Sequence, residues 1–150
     1  MTSTKGLLIL TVVLAGSLSP LQAGINASLS RHLGHPVFAA IANTGIATLV
    51  LVLLLLALRV DLPSMTAVSV TPRWTFLGGV IGATLVFCAI IFAPRLGAAG
   101  YVCALIVGTM SASLLIDHMG WVGFASHPVN GLRLLGAGLV VSGMLLVNSN

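Results

Sequence analysis

Apolar residues in this chain come in long unbroken runs, not in the alternating or one-face patterns of half-buried elements. Gly6 to Ala23 is uncharged and runs on to Ser30 before Arg31. Val37 to Leu58 is apolar between Pro36 and Arg59, Trp74 to Ala93 follows Arg73 and stops at Pro94-Arg95, and Leu96 to Ile116 ends at Asp117-His118. Each run holds about 18 to 22 residues or more, the length of helix that crosses a bilayer's hydrocarbon. Leu134 to Val147 is shorter and spans only if polar ends such as Asn130 and Asn148 sit at the interfaces. Barrel strands would alternate apolar with polar positions, and these runs do not. The pattern predicts an all-α polytopic membrane protein with five transmembrane helices, near 6–30, 37–58, 74–93, 96–116 and 131–148, forming one transmembrane domain over residues 1–150.

The connections are short. Arg59 to Arg73 carries Pro63, Ser64, Thr71 and Pro72 and reads as a polar loop, and His118 to Leu132 is similar, with Gly120, Gly123, Pro128 and Gly131. Pro94-Arg95 leaves so little chain that the third and fourth helices are expected to form an antiparallel hairpin. No loop offers room for a folded extramembrane domain. Near the start, Lys5, the apolar stretch Leu7 to Ala15 and then Ser17-Leu18-Ser19-Pro20-Leu21-Gln22-Ala23 imitate a secretory signal. Leu21 is larger than signal peptidase prefers three residues before its cut, and the apolar spacing continues past it. An uncleaved first span is the expectation.

Composition agrees with the pattern. Hydrophobic residues make up 58% of the chain and charged ones 5%, against about 25% charged in soluble domains. Six basic and two acidic side chains cannot coat a water-soluble body of this size, so lipid is the expected solvent. The basic pI does not point to nucleic acid, because single cations punctuate apolar runs instead of converging on one face. Cys88 and Cys103 sit inside apolar runs without metal-ligand spacing and read as packing residues. No phosphate loop, metal cluster or nucleophile elbow is present. Neither an enzyme nor a bound cofactor or metal is expected.

With spans numbered alternately, Lys5, Arg59, Arg73 and Arg133 fall on one side and Arg31 and Arg95 on the other. The excess favours a cytoplasmic N-terminus. It is weak enough that insertion in both orientations, and pairing of inverted copies, is a physical consequence. Trp74 and Trp121 suit the interfacial aromatic belt, and Arg95 a snorkelling anchor.

Small residues line several spans: Gly78, Gly79, Gly82 and Ala83; Gly97, Gly100, Ala104 and Gly108; Gly136, Val140 and Gly143. These read as helix-packing seams, the last also as a seam between protomers. Polar side chains inside spans are more telling, because hydrocarbon penalises them unless they find partners. Gln22 and Asn26, four apart, share a helix face, and Pro20 is expected to bend that helix. Asn43, Thr44 and Thr48 make a second patch, and Tyr101, Thr109, Ser111 and Ser113 a third. Convergence on a polar cavity and hydrogen-bonded fastening of neighbouring helices are both open readings. No span carries a charge at its centre. Asp117 beside His118 is either an interfacial pair or a proton-linked one.

These residues resemble the YdcZ-like family of five-helix proteins in the drug/metabolite transporter superfamily, over essentially the whole length. The resemblance rests on Leu21-Gln22-Ala23-Gly24-Ile25-Asn26, Ala93-Pro94-Arg95-Leu96-Gly97-Ala98-Ala99, Ser113-Leu114-Leu115-Ile116-Asp117-His118-Met119-Gly120 and Leu134-Leu135-Gly136. It implies a half-unit of the superfamily's fold in the inner (plasma) membrane, working as an antiparallel pair, either a homodimer or two different halves. The family pattern expects Gln after Gly108 where this chain has Thr109, which puts selectivity there in doubt. The first helix lacks the carboxylate of the related small multidrug resistance proteins, so cation/proton antiport is not implied. The expected function is a secondary transporter or facilitator for a small organic molecule. Gln22, Asn26, Asn43, Tyr101 and Thr109 are the candidate substrate-binding residues, with Asp117 and His118 the candidate proton-linked ones. The alternative is a non-transporting subunit that assembles with a partner membrane protein.

Overall fold

A computed structural model of the chain describes residues 2–149, and side chains from 6 to 149. The side chain of Lys5, one of the cations behind the charge bias, lies outside the described residues. Every regular element among them is helical: α1 (Thr2–Gly16), α2 (Leu18–Leu33), α3 (Pro36–Ala57), α4 (Met65–Val70), a 3-10 turn at Arg73–Phe76, α5 (Leu77–Met119), a second 3-10 turn at Trp121–Gly123, and α6 (Gly131–Asn148). Four stretches are long and apolar enough to cross a membrane: Gly6–Leu33, Pro36–Ala57, Arg73–Met119 and Gly131–Asn148, with mean hydropathies of 1.8, 2.3, 2.4 and 1.6. Their side chains are largely exposed within the single chain, as for Leu51 at 64% and Leu139 at 65%. Lipid is the solvent that tolerates such a surface. The chain divides into two compact units, Met1–Ile91 and Phe92–Asn150.

In the first unit, α1 and α2 form one apolar stretch interrupted at Ser17. Pro20 has no N–H to donate to the carbonyl of Gly16, four residues back, and the helix breaks where that bond is missing. Ser17 covers part of the break, its N–H donating to Val13 O at 3.0 Å and its hydroxyl to Leu14 O at 2.7 Å. The interruption thus falls three residues before the proline, with the Ser17 backbone still in the right-handed helical region (φ −64°, ψ −17°).

Helices α2 and α3 are joined by two residues. Gly34 adopts a left-handed conformation (φ 77°, ψ −8°), which ends α2 without the Cβ clash another residue would suffer. His35 then caps α3, its Nδ1 accepting from Val37 N at 3.2 Å, and Pro36 occupies the first helical position, where its missing N–H costs nothing. So short a turn brings α2 and α3 into contact. The buried residues are small: Ala23 and Ala27 on α2 and Ala39, fully covered, on α3. Alanines let helix backbones approach closely where no water drives association.

Arg59 to Arg73 was expected to be a polar loop, and it holds a short helix. Ser64 caps α4 by accepting from Ala67 N at 3.1 Å, and Pro72 precedes the 3-10 turn. The segment is also less polar than its prolines suggested, with Leu62, Met65 and Val70 each more than 70% exposed.

The interruption expected at Pro94-Arg95 falls instead at Gly97 (φ 74°, ψ 159°), with helix continuing through Pro94. A proline removes one hydrogen bond, whereas this backbone region is open essentially to glycine alone. The non-helical backbone therefore falls at the nearby glycine. In the second unit, Asn130 caps α6 by accepting from Arg133 N at 2.9 Å. The cap starts the helix at Gly131, so it reaches 18 residues, about 27 Å of rise. Of the glycines expected in packing seams, Gly100 is approached closely, by the side chain of Asn148, whereas a Cβ at Gly136 or Gly143 would meet nothing within 4 Å.

Candidate transport site

Asn26 lies seven residues before the end of α2, and Asn43 lies seven after the start of α3. A two-residue turn between the helices therefore puts the two amides at the same height, about 10 Å of helix from the hairpin tip. Asn26 Nδ2 donates to Asn43 Oδ1 at 3.2 Å. Gln22, one turn below Asn26 on the same face, directs Nε2 at the same oxygen at 3.5 Å. One carbonyl thus receives two amide donors from the neighbouring helix. Asn26 is the buried polar residue among those described, 5% exposed.

The three amides line one wall of a groove of about 380 Å³. Leu18, Leu21, Ile25 and Leu29 of α2 and Ile46 of α3 supply the rest, and no lining residue carries a formal charge. An amide has two N–H donors and a carbonyl with two acceptor sites. Two mutual bonds leave most of that capacity unspent. A larger cavity, about 550 Å³, is lined by Val37, Gly79, Val80, Ala83, Thr84 and Phe87. Its one hydroxyl, on Thr84, is already donated to Val80 O at 2.8 Å. That cavity has nothing to orient a polar molecule; the amide groove does.

The other polar residues are spent locally. Thr44 donates to Ala40 O and Thr48 to Thr44 O, both at 2.9 Å, so neither adds to the cluster around Asn43. In the second unit, Thr109 donates to Ile106 O at 3.1 Å and Ser111 to Val107 O at 2.8 Å, each on its own helix. Tyr101 is buried at 8% exposure. Gln22, Asn26 and Asn43 are thus brought together. Tyr101 and Thr109 belong to the second unit.

Asp117 and His118 organise the turn into α6. Asp117 Oδ2 pairs with Arg133 Nη1 at 3.3 Å, and both side chains are about one-third exposed. Arg133 Nη1 also donates to His127 O at 3.1 Å, and His127 N–H donates to Asp117 O at 2.7 Å. His118 Nδ1 accepts from Val129 N at 3.3 Å, and Ser126 Oγ donates to His118 O at 3.2 Å. The sequence marks out Asp117 and His118, but Arg133 stands in it only as one of the cations that set topology. The pairing needed the turn geometry.

Four apolar stretches of spanning length define a multi-pass membrane protein, and its α2–α3 pair carries an apolar groove with an uncharged amide wall. The chain belongs to the family described as "Putative inner membrane exporter, YdcZ", whose model matches residues 7–146. The family's described role is export across a membrane, a transporter's task and not an enzyme's. No curated protein and no solved structure gives a match to the chain.

Proposed function

We propose that the chain is a secondary transporter or facilitator for a small organic molecule, with five spans, working as an antiparallel pair around a polar site near the midplane. The observation that carries the reading is the Asn43 carbonyl holding Gln22 and Asn26 at the wall of an apolar groove. Amides in hydrocarbon are costly unless satisfied, and these keep unspent donors and acceptors that cargo can use. Tyr101 and Thr109 are proposed to join the site in the assembled protein.

The length of α5 supports a count of five. Its 43 residues would rise about 65 Å as one helix, more than twice the hydrocarbon thickness. Two crossings that meet around Gly97, with the reversal expected near Pro94-Arg95, fit the bilayer. The open glycine faces at Gly136 and Gly143 support pairing through α6. Alternating access would be rocking of helix pairs about the amides.

The test is reconstitution into proteoliposomes with counterflow across a metabolite panel. Substrates should be found whose exchange falls at least about tenfold in Asn43→Ala. If every active substrate exchanges equally well through Asn43→Ala, Asn26→Ala and wild type, the site is wrong. Crosslinking in native membranes separates the transporter from an assembly subunit: self-pairing with N-termini on both faces supports the former, and a stoichiometric foreign partner the latter.

A further inference from the structure

We infer that the cargo of this groove is uncharged: a small amphipathic molecule with an apolar body and at least one amide, carbonyl or hydroxyl group. The inference rests on the transport reading above and narrows it to a substrate class. The groove offers hydrogen bonds of both senses and no ion. Its polar wall is Gln22, Asn26 and Asn43, and the remaining lining is aliphatic. Arg31 and His32, in the last turn of α2, are not among the lining residues.

The argument is one of desolvation. A cargo amide or hydroxyl leaving water loses hydrogen bonds that the spare N–H and carbonyl groups of the three side chains replace in kind. A carboxylate or ammonium leaving water loses ion solvation, for which only an opposite charge compensates well, and none lines this wall. The volume, about 380 Å³, lies in the range of small-molecule sites, roughly 300–1,000 Å³. Leu18, Leu21, Ile25 and Ile46 suit a branched or aromatic body beside the polar group. Among the described residues the α2–α3 groove has no ionisable lining, so no proton competes directly with cargo within it. Any coupling would have to act elsewhere.

Triplets that differ in charge on one apolar body test this. N-acetyl-leucinamide is neutral, N-acetyl-leucine is an anion and leucinamide a cation, and the phenylalanine series repeats the set. Each is titrated against the purified full chain in nanodiscs, at a pH where the charged members are ionised. The readout is the side-chain amide nitrogen resonances of Gln22, Asn26 and Asn43. The neutral members should shift all three and bind at least about tenfold more tightly than either charged congener. Asn43→Leu should abolish the effect. Asn43→Asp, nearly isosteric and so less prone to misfold, should reverse the order, with the ammonium congeners gaining about tenfold. Charged members binding as tightly as neutral ones, an order unchanged in Asn43→Asp, or no neutral member shifting the amides would each overturn the inference. Counterflow keeps the two readings apart. Asn43-dependent exchange of ions refutes neutral cargo but leaves transport standing, whereas neutral-selective binding without exchange does the reverse.

Discussion

Asn43 should matter more to the helix pair than either amide it holds, and a set of double-mutant cycles measures by how much. Replacing Asn43 with Ala removes two interhelical hydrogen bonds and strands Asn26, which is 5% exposed. A buried polar group left without a partner costs about 1–3 kcal/mol. Replacing Asn26 leaves Asn43 still in reach of Gln22, so its cost should be smaller. Gln22 is exposed and its bond, at 3.5 Å, is at the outer limit of useful geometry. The expected order is Asn43→Ala, then Asn26→Ala, then Gln22→Ala. Coupling between Asn26 and Asn43 should be near the membrane-protein average, about 0.6 kcal/mol and no more than about 1.7. Coupling between Gln22 and Asn43 should be less than half of that. Unfolding of the purified chain by SDS in mixed micelles, followed by circular dichroism, gives the four free energies of each cycle. Strict additivity of Asn26→Ala and Asn43→Ala, or a Gln22 coupling equal to that of Asn26, would refute the shared-acceptor geometry.

Three further outcomes use the same preparations. Ala39→Leu, at a fully covered position where α2 meets α3, should destabilise by about 1–3 kcal/mol through overpacking, read by the same SDS titration. Gly97→Ala forces a Cβ into a backbone region tolerated essentially by glycine and should cost about 1–3 kcal/mol; an unchanged midpoint would mean the break is absent. Asp117→Asn removes the carboxylate whose pairing holds Arg133, an exposed contact worth about 0–1 kcal/mol. If Asp117 carries the coupled proton, the variant should lose uptake driven by an imposed proton gradient yet keep downhill counterflow, and retention of both would leave the carboxylate a fastener only.

Four apolar stretches of spanning length were legible because length and apolarity alone select such helices, and charges at Arg31, Arg59, Arg73 and Asp117 punctuate the runs. Local breaks were harder. Pro94 was the obvious interrupter, yet a proline is compatible with helical φ and removes one bond without requiring a positive φ, which went to Gly97. The short helix α4 was hidden by its flanking prolines, although Ser64 three residues before Ala67 is an ordinary capping signal. The tight contact of α2 with α3 is made by alanines and not by the glycine-rich seams. Ala23 and Ala27, four apart, carried the same small-residue spacing.

The amide cluster was half legible. That Gln22 and Asn26 share a face follows from helical period. That Asn43 meets them, while Thr44 and Thr48 do not, depends on the length of the Gly34-His35 turn and on hydroxyls reaching the carbonyl one turn back. The same comparison explains how one cluster can both fasten helices and handle cargo. A threonine satisfied by its own helix has its donor committed whatever enters the groove. An amide held by another amide can trade that partner for a ligand amide at little net cost, because the bonds exchanged are alike in kind and, in membranes, weak. The cycle measured at Asn26 and Asn43 therefore bears on mechanism as well as on stability. A coupling of several kcal/mol would lock the two side chains together and leave cargo unable to displace either. A coupling below about 1 kcal/mol, roughly a fivefold change in an equilibrium, is one that a bound molecule can overcome and release again.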